Sequence, residues 1–155
     1  MFQIALYEPE IPPNTGNIMR LCANTGCRLH LIHPLGFSLD AKKLKRAGMD
    51  YRDIAVVTEH ANYADFLHSL EAHSRLFALT TKGSKNYSDV QFQADDIFLF
   101  GPETRGLPDS VLNRLDTYDK LRLPMQANSR SLNLSNTAAI MVYEALRQHN
   151  FANLA

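Results

Sequence analysis

Short apolar segments alternate with segments of helical spacing along this chain, and this alternation limits the folds open to it. The residues with strand-like patterns are 2–7, 28–32, 56–57, 75–80, 97–100 and 121–124. The residues with helical patterns are 14–25, a short basic segment before Gly48, 63–71 and 134–148. Strands that alternate with helices form a parallel sheet covered on both faces, so the sequence predicts an α/β fold.

The sequence predicts one compact domain that comprises residues 1–155. A chain of 155 residues that is 45% hydrophobic and 21% charged can bury a core, and no repeat or linker divides it. The 16 basic and 16 acidic side chains cancel, so a polyanion would have to be bound by local basic patches. No segment has the length and flanking charge of a secretory signal or a membrane span, which predicts a cytoplasmic protein.

Several common kinds of site are excluded by spacing. No GxGxxG follows the first strand, and residues 82–85 read KGSK rather than the GK[ST] of a phosphate-binding loop. Cys22 and Cys27 form no recognisable metal set with the nearby histidines, so we expect reduced structural thiols and no metal. No serine has the GxSxG surroundings of a nucleophile. The remaining histidines are expected at the surface: His60, His68, His73 and His149.

The first of three unusually polar loops is PPNTGNIMR at residues 12–20. Asn14, Gly16 and Asn17 form a tight entry into a helix, and Arg20 follows one turn later. Arg20 either binds a phosphate with its fork of donors or forms a salt bridge with a neighbouring carboxylate. The residues alone leave both interpretations open.

The second loop, GPETRGLP at residues 101–108, follows the apolar segment IFLF directly. Its two glycines and two prolines fix an unusual backbone path, which an ordinary turn does not require. Glu103 either pairs with Arg105 or positions a ligand at the end of the strand.

The third loop belongs to residues 121–148, where an apolar segment passes through a polar turn into a helix. Asn133, Ser135 and Asn136 lie where that helix begins, so they either cap it or bind an electron-rich ligand. Ligands of parallel α/β proteins bind beyond the carboxyl ends of the strands, and we expect the three loops to meet there.

Together the three loops resemble the signature motifs of the SPOUT RNA methyltransferases, and within them the TrmH-like ribose 2′-O-methyltransferases. The matching segments are PPNTGNIMRLCANTG at 12–26, FLFGPETRGLP at 98–108, and LRLPM with SRSLNLSNTAAIMVYEALRQ at 121–148. They occur in the family's order, and the likeness extends over essentially the whole chain. The resemblance implies a parallel-sheet α/β fold with a deep C-terminal trefoil knot, within about residues 75–155, although most chains avoid knots.

The same resemblance implies a homodimer that binds S-adenosylmethionine in the knot, near the subunit interface. The residues expected around this cofactor are Leu79, Thr80, Gly101, Leu123, Met125, Ser131, Leu132 and Asn133. The residues expected to take part in catalysis are Arg20, Asn14, Glu103, Ser131, Asn133 and Tyr143. Because a guanidinium stays protonated, Arg20 is expected to orient an RNA phosphate and stabilise negative charge rather than act as a base. Tyr143 either reaches the substrate or the dimer interface, or is a core aromatic.

By this likeness, the predicted reaction is methylation of the ribose 2′-hydroxyl of the wobble nucleotide, cytidine or a modified uridine, in leucine tRNAs. The alternatives are methylation of another tRNA or rRNA nucleotide, and a non-catalytic RNA-binding protein that kept the fold. An anticodon stem-loop would meet the dimer surface itself, with an affinity that falls as salt rises. The basic residues expected to contact it are Arg20, Lys42, Lys43, Lys45, Arg46 and Lys82.

Overall fold

Seven parallel strands form the centre of the computed structural model, which describes residues 1–116 and 119–155. The strands are β1 Gln3–Tyr7, β2 Arg28–Ile32, β3 Val57–His60, β4 Leu76–Leu79, β5 Lys85–Asn86, β6 Ile97–Phe100 and β7 Lys120–Arg122. Their order across the sheet is β3-β2-β1-β6-β4-β7-β5, and each neighbouring pair is parallel. The predicted parallel-sheet α/β fold is therefore confirmed.

Helices cover both faces of this sheet. They are α1 Pro12–Thr25, α2 Ala41–Arg46, α3 Tyr51–Ala55, α4 Tyr63–His68, α5 Asp109–Leu112 and α6 Leu134–Gln148, with a 3₁₀ turn at Tyr87–Asp89. Successive strand residues point to opposite faces. Phe98 and Phe100 accordingly pack into the cluster that holds residues of α1 and α6. Ile97 and Leu99 pack into the cluster that holds residues of α4 and α5. All four side chains of β6 are buried, as in a strand covered on both sides.

Helix α1 begins at Pro12, two residues earlier than the asparagine-based prediction. Proline is well tolerated in the first helical turn, where the missing N–H has no partner to lose. Asn14 is therefore not a cap, and its side chain is free for contacts elsewhere. The helix ends as predicted at Gly26, which adopts the left-handed conformation with φ of 74°.

The prediction of a surface position for His60 is wrong. His60 is 8% exposed, and its Nε2 lies 2.9 Å from Nδ1 of His30, whose Nε2 lies 2.8 Å from Oε1 of Gln3. Phe66 packs edge-on against both imidazoles. Burial, followed by the neighbouring His60, lowers the pKa of His30 to about 4, so this ring is neutral near pH 7.

The structure also places both cysteines in the core, where burial raises the pKa of the Cys22 and Cys27 thiols. Helix α4 ends at His68, earlier than the predicted residue 71, and the two-residue strand β5 was not predicted. Among the residues described, no helix is both long and apolar enough to cross a membrane.

Candidate functional site

The three polar loops meet at the carboxyl ends of β4, β6 and β7, where they enclose a cavity of about 460 Å³. We call it the strand-end cavity. Its volume lies within the range of about 300–1,000 Å³ that is usual for small-ligand sites. The first loop contributes Asn14, with Ile11 directly before it, and the second contributes residues 101–107. The third contributes the beginning of α6 and the loop before it.

Glu103 joins the second loop to the first. Its carboxylate accepts hydrogen bonds from the backbone N–H groups of Glu10 at 2.8 Å and Ile11 at 3.0 Å. It also accepts one from Nδ2 of Asn14 at 3.4 Å. These amides precede and begin α1, and the positive end of a helix dipole favours a carboxylate at that position. Glu103 therefore fixes the start of α1 against the end of β6.

Asn14 and Asn133 join the first loop to the third. Nδ2 of Asn133 donates to Oδ1 of Asn14 at 3.0 Å, while its own Oδ1 accepts from the backbone N–H groups of Ser135 and Asn136. Asn133 is thus the N-cap of α6, as its position in the sequence indicated. Because Asn14 is 6% exposed and bonds to both Glu103 and Asn133, one short polar chain connects all three loops.

Glu103 and Arg105 do not pair with each other. Arg105 instead lies 3.2 Å from Oε2 of Glu8. Glu10 accepts hydrogen bonds from the backbone N–H and hydroxyl of Thr104 at 3.0 and 2.8 Å, and these bonds lower the pKa of its carboxyl group. Glu103 of the second loop thus binds backbone amides at the start of α1, and Glu10, just before α1, binds Thr104 of the second loop.

Gly101 permits the tight path of the second loop. A Cβ atom at this position would lie 2.3 Å from the backbone nitrogen of Leu107 and 2.5 Å from the carbonyl carbon of Gly106. Only glycine allows this approach without a shift of backbone. Gly106, with φ of 68°, completes the turn.

The eight residues that the family resemblance associates with the cofactor all line the strand-end cavity. They are Leu79, Thr80, Gly101, Leu123, Met125, Ser131, Leu132 and Asn133. The lining also includes residues that the sequence did not single out, such as Ile11, Leu107 and Thr137. Ile11, Met125 and Leu132 are large apolar side chains with 39–43% of their surface exposed, and a bound ligand would cover them.

Four of the residues predicted to take part in catalysis line this cavity, namely Asn14, Glu103, Ser131 and Asn133. Arg20 does not, and its Nη2 donates to the carbonyl of Gly48 at 3.2 Å in a separate cavity. Tyr143 is 50% exposed on α6, so it is not a core aromatic.

The predicted RNA-binding lysines lie on exposed surfaces. Lys42, Lys43, Lys45 and Arg46 are exposed on α2. Lys82 is also exposed and lies 3.3 Å from Asp109. A groove beside the strand-end cavity adds Arg122 and Arg130, which have no local signal in the sequence because neither stands in a basic cluster. Within the described part of the chain, no group of three or more histidine, cysteine or acidic residues could hold a metal ion.

Comparisons with known proteins agree with this fold. The chain belongs to the SpoU rRNA Methylase family, which matches residues 1–143. It is 59% identical over 152 residues to the tRNA (cytidine(34)-2'-O)-methyltransferase of Methylovorus glucosotrophus (strain SIP3-4), covering 98% of each chain.

Two solved structures illustrate the likeness. A structure described as giving insight into the 2-OH methylation of C/U34 on tRNA superposes with a TM-score of 0.89 at 44% identity, covering 97% of each chain. The SpoU methyltransferase AviRb from Streptomyces viridochromogenes, in complex with the cofactor AdoMet, superposes with a TM-score of 0.81 at 23% identity. That comparison covers 96% of this chain and 57% of the other, and it shows the shared fold.

Proposed function

We propose that this protein transfers the methyl group of S-adenosylmethionine to the ribose 2′-hydroxyl of the wobble nucleotide of tRNA, cytidine or a modified uridine. The observation that carries the proposal is the strand-end cavity, whose walls contain all eight of the expected cofactor-contacting residues. High identity over nearly the full length of a tRNA (cytidine(34)-2'-O)-methyltransferase supports the same reaction. We further propose leucine tRNAs as the substrates, on the family resemblance.

The chemistry of the cavity fits S-adenosylmethionine. Leu79, Leu123 and Leu132 offer apolar surface for a flat adenine ring, while Thr80 and Ser131 offer hydroxyl groups for polar parts of the molecule. When bound, the cofactor supplies a methyl group on a sulfonium, which is a good leaving group. The protein's own task is then mainly to orient the reacting groups and keep them in place.

In this mechanism each polar residue has a positioning role. Asn14, Glu103 and Asn133 hold the three loops in one arrangement through the hydrogen bonds described above. Ser131 lies on the cavity wall, where its hydroxyl can position the incoming ribose. Arg20 orients the adjacent RNA phosphate and stabilises the negative charge that develops as the hydroxyl loses its proton.

A homodimer explains why Arg20 lies away from the strand-end cavity. We propose that a second copy of the chain presents its arginine to this cavity. The exposed side chains of Ile140 and Tyr143, 37% and 50% exposed on α6, supply apolar surface for the contact. Helix α6 packs beside α1, which carries Arg20, so both features belong to neighbouring surfaces.

A trefoil knot within about residues 75–155, in a single domain of residues 1–155, remains part of the proposal. Two observations support it. The late strand β7 lies between β4 and β5 in the sheet. Gly83 approaches that strand so closely that a Cβ atom would lie 2.7 Å from the carbonyl carbon and oxygen of Leu121. Because the proposed substrate is tRNA, we also propose that the protein acts in the cytoplasm.

The proposed function is tested by incubating the protein with labelled S-adenosylmethionine and separate tRNA pools, then locating the methyl group by mass spectrometry. We expect incorporation at the wobble ribose of leucine tRNAs, and none into an anticodon stem-loop with a 2′-deoxyribose at that position. Incorporation at another nucleotide would reject the wobble assignment. If calorimetry detected no cofactor binding and no methyl group were transferred, the protein would be an RNA-binding protein without this activity.

The shared site is tested by mixing two inactive variants, Arg20→Ala and Gly101→Ala. A mixed dimer contains one intact strand-end cavity facing one intact arginine, so we expect activity to return in part. Sedimentation of the unmodified protein should show a dimer. A monomer with full activity would contradict the dimer proposal while leaving the proposed reaction in place.

A further inference from the structure

A second cavity, of about 390 Å³, lies between α1 and residues 37–49. We call it the α1–α2 cavity. Thr15, Gly16 and Arg20 line one wall, and residues including Phe37 and Leu44 line the other. Among the residues that the structure describes, none lines both this cavity and the strand-end cavity. Consecutive residues of α1 therefore face different sites, with Asn14 at one and Thr15 at the other.

The lining of the α1–α2 cavity combines apolar side chains with positive charge. Met19, Phe37 and Leu39 provide apolar surface, and the charged residues of the described lining are Arg20 and Lys43. Within the described chain, neither of these cations forms an ion pair with a carboxylate. An apolar cavity with an aromatic ring and cations at its edge matches a nucleotide, whose base stacks on apolar surface while its phosphates meet cations.

Besides the composition of the lining, Gly16 is a second indication that a ligand occupies the α1–α2 cavity. It lies inside α1, where glycine is less favourable than alanine because it loses more backbone freedom on folding. A Cβ atom added here would meet nothing within 4 Å, and its φ is not in the left-handed region. Neither packing nor backbone conformation within the described chain therefore requires glycine at this position.

Thr15 is the third indication. It is 1% exposed, and its Oγ1 is a buried side-chain atom without a hydrogen-bond partner among the residues described. A buried hydroxyl without a partner is unfavourable. Threonine populates two χ1 rotamers in helices, so the hydroxyl can turn toward a ligand that supplies a partner. The edge of a nucleobase carries such donors and acceptors.

We propose that the α1–α2 cavity receives an unstacked nucleobase of the RNA substrate, with Arg20 and Lys43 against the flanking phosphates. The inference rests on the proposed function, because it takes RNA as the substrate, and it adds the place where a base is bound. The unpaired cations favour an RNA over a second copy of the chain as the occupant.

The test uses an anticodon stem-loop with a fluorescent pyrimidine analogue at the target position. Gly16→Leu places a side chain in the cavity, and Asn24→Leu, at an exposed position of the same helix outside the cavity lining, is the matched control. With the unmodified protein and with Asn24→Leu, we expect binding to change the emission of the analogue. With Gly16→Leu, we expect no change and at least a tenfold lower kcat/KM, while cofactor affinity and sedimentation stay the same.

Leu39→Trp fills the cavity from the opposite wall and must give the same loss, which guards against misfolding of one variant. Unchanged emission and turnover in both variants would overturn the proposal. A change from dimer to monomer in Gly16→Leu would also overturn it, because a second copy would then be the occupant. Failure of the unmodified protein to methylate any RNA removes the proposed function itself, and this is seen before a variant is made.

Discussion

Glu103→Gln tests the positioning role of the Glu103 carboxylate, because it changes the hydrogen bonds of the side chain and keeps its size. Glutamine has the same shape, but one of its two terminal groups is a donor rather than an acceptor. The N–H groups of Glu10 and Ile11, now at 2.8 and 3.0 Å from separate carboxylate oxygens, cannot both be satisfied. We therefore expect the start of α1 to move away from the second loop.

The magnitude follows from those bonds. A hydrogen bond to a charged group contributes about 1.5–3 kcal/mol. Because Glu103 is partly exposed, water replaces some of the loss, and we expect a cost of about 1–2 kcal/mol. If the cost falls on the arrangement that binds the cofactor, affinity for S-adenosylmethionine falls roughly 5- to 30-fold, at 1.4 kcal/mol per factor of ten.

Calorimetric titration with S-adenosylmethionine measures this change, and urea unfolding measures its cost to the fold. Glu71→Gln is the matched control, because Glu71 is exposed and its carboxylate lies 3.3 Å from the ring of His73, which is exposed as well. We expect it to change stability by less than about 0.5 kcal/mol. Wild-type cofactor affinity in Glu103→Gln would refute the argument that this carboxylate organises the site.

Three further predictions concern other parts of the molecule. Arg20→Ala should keep cofactor affinity but lower methyl transfer roughly 100-fold or more, as for the loss of a charge-stabilising donor; unchanged turnover in the labelled-methyl assay would reject its role. Gly101→Ala should abolish calorimetric binding of the cofactor, because a Cβ 2.3 Å from the nitrogen of Leu107 displaces the loop. Because burial lowers the pKa of His30 to about 4, from about 6.5 when unfolded, its neutral form stabilises the fold above pH 6.5. The free energy of unfolding, measured with urea, should therefore fall by about 3 kcal/mol as the pH is lowered from 6.5 to 4. His30→Gln should flatten this dependence of stability on pH, whereas His68→Gln, which lies outside the buried pair, should not.

The parts of the fold that sequence could predict are those with a local signal. The strands Arg28–Ile32 and Ile97–Phe100 have the predicted bounds, because both consist mainly of side chains that a two-sided parallel sheet buries. Helix Leu134–Gln148 is likewise correct, since its apolar spacing and its asparagine cap agree. For these elements, local preference and tertiary environment favour the same structure.

The remaining features depend on residues far apart in the chain. Strand β5 is polar and two residues long, and it is a strand because it pairs with β7. His60 is polar, yet its ring is buried because His30 and Phe66 surround it. Glu103 bonds to amides 92 and 93 residues away, while its sequence neighbour Arg105 suggested a local pair. No local pattern distinguishes these arrangements from their alternatives.

The geometry of an α-helix explains why Asn14 and Arg20, both on α1, lie at different cavities. Asn14 and Arg20 are six residues apart, which is about 9 Å along the axis and about 120° apart around it. The two side chains therefore project from α1 in different directions. Asn14 lies at the strand-end cavity and Arg20 at the α1–α2 cavity. Rotation of this helix to bring Arg20 to the strand-end cavity would remove Asn14 from Glu103 and Asn133, so we expect the arginine to be supplied by a second molecule. The position of Arg20 is therefore the structural reason for proposing a dimer.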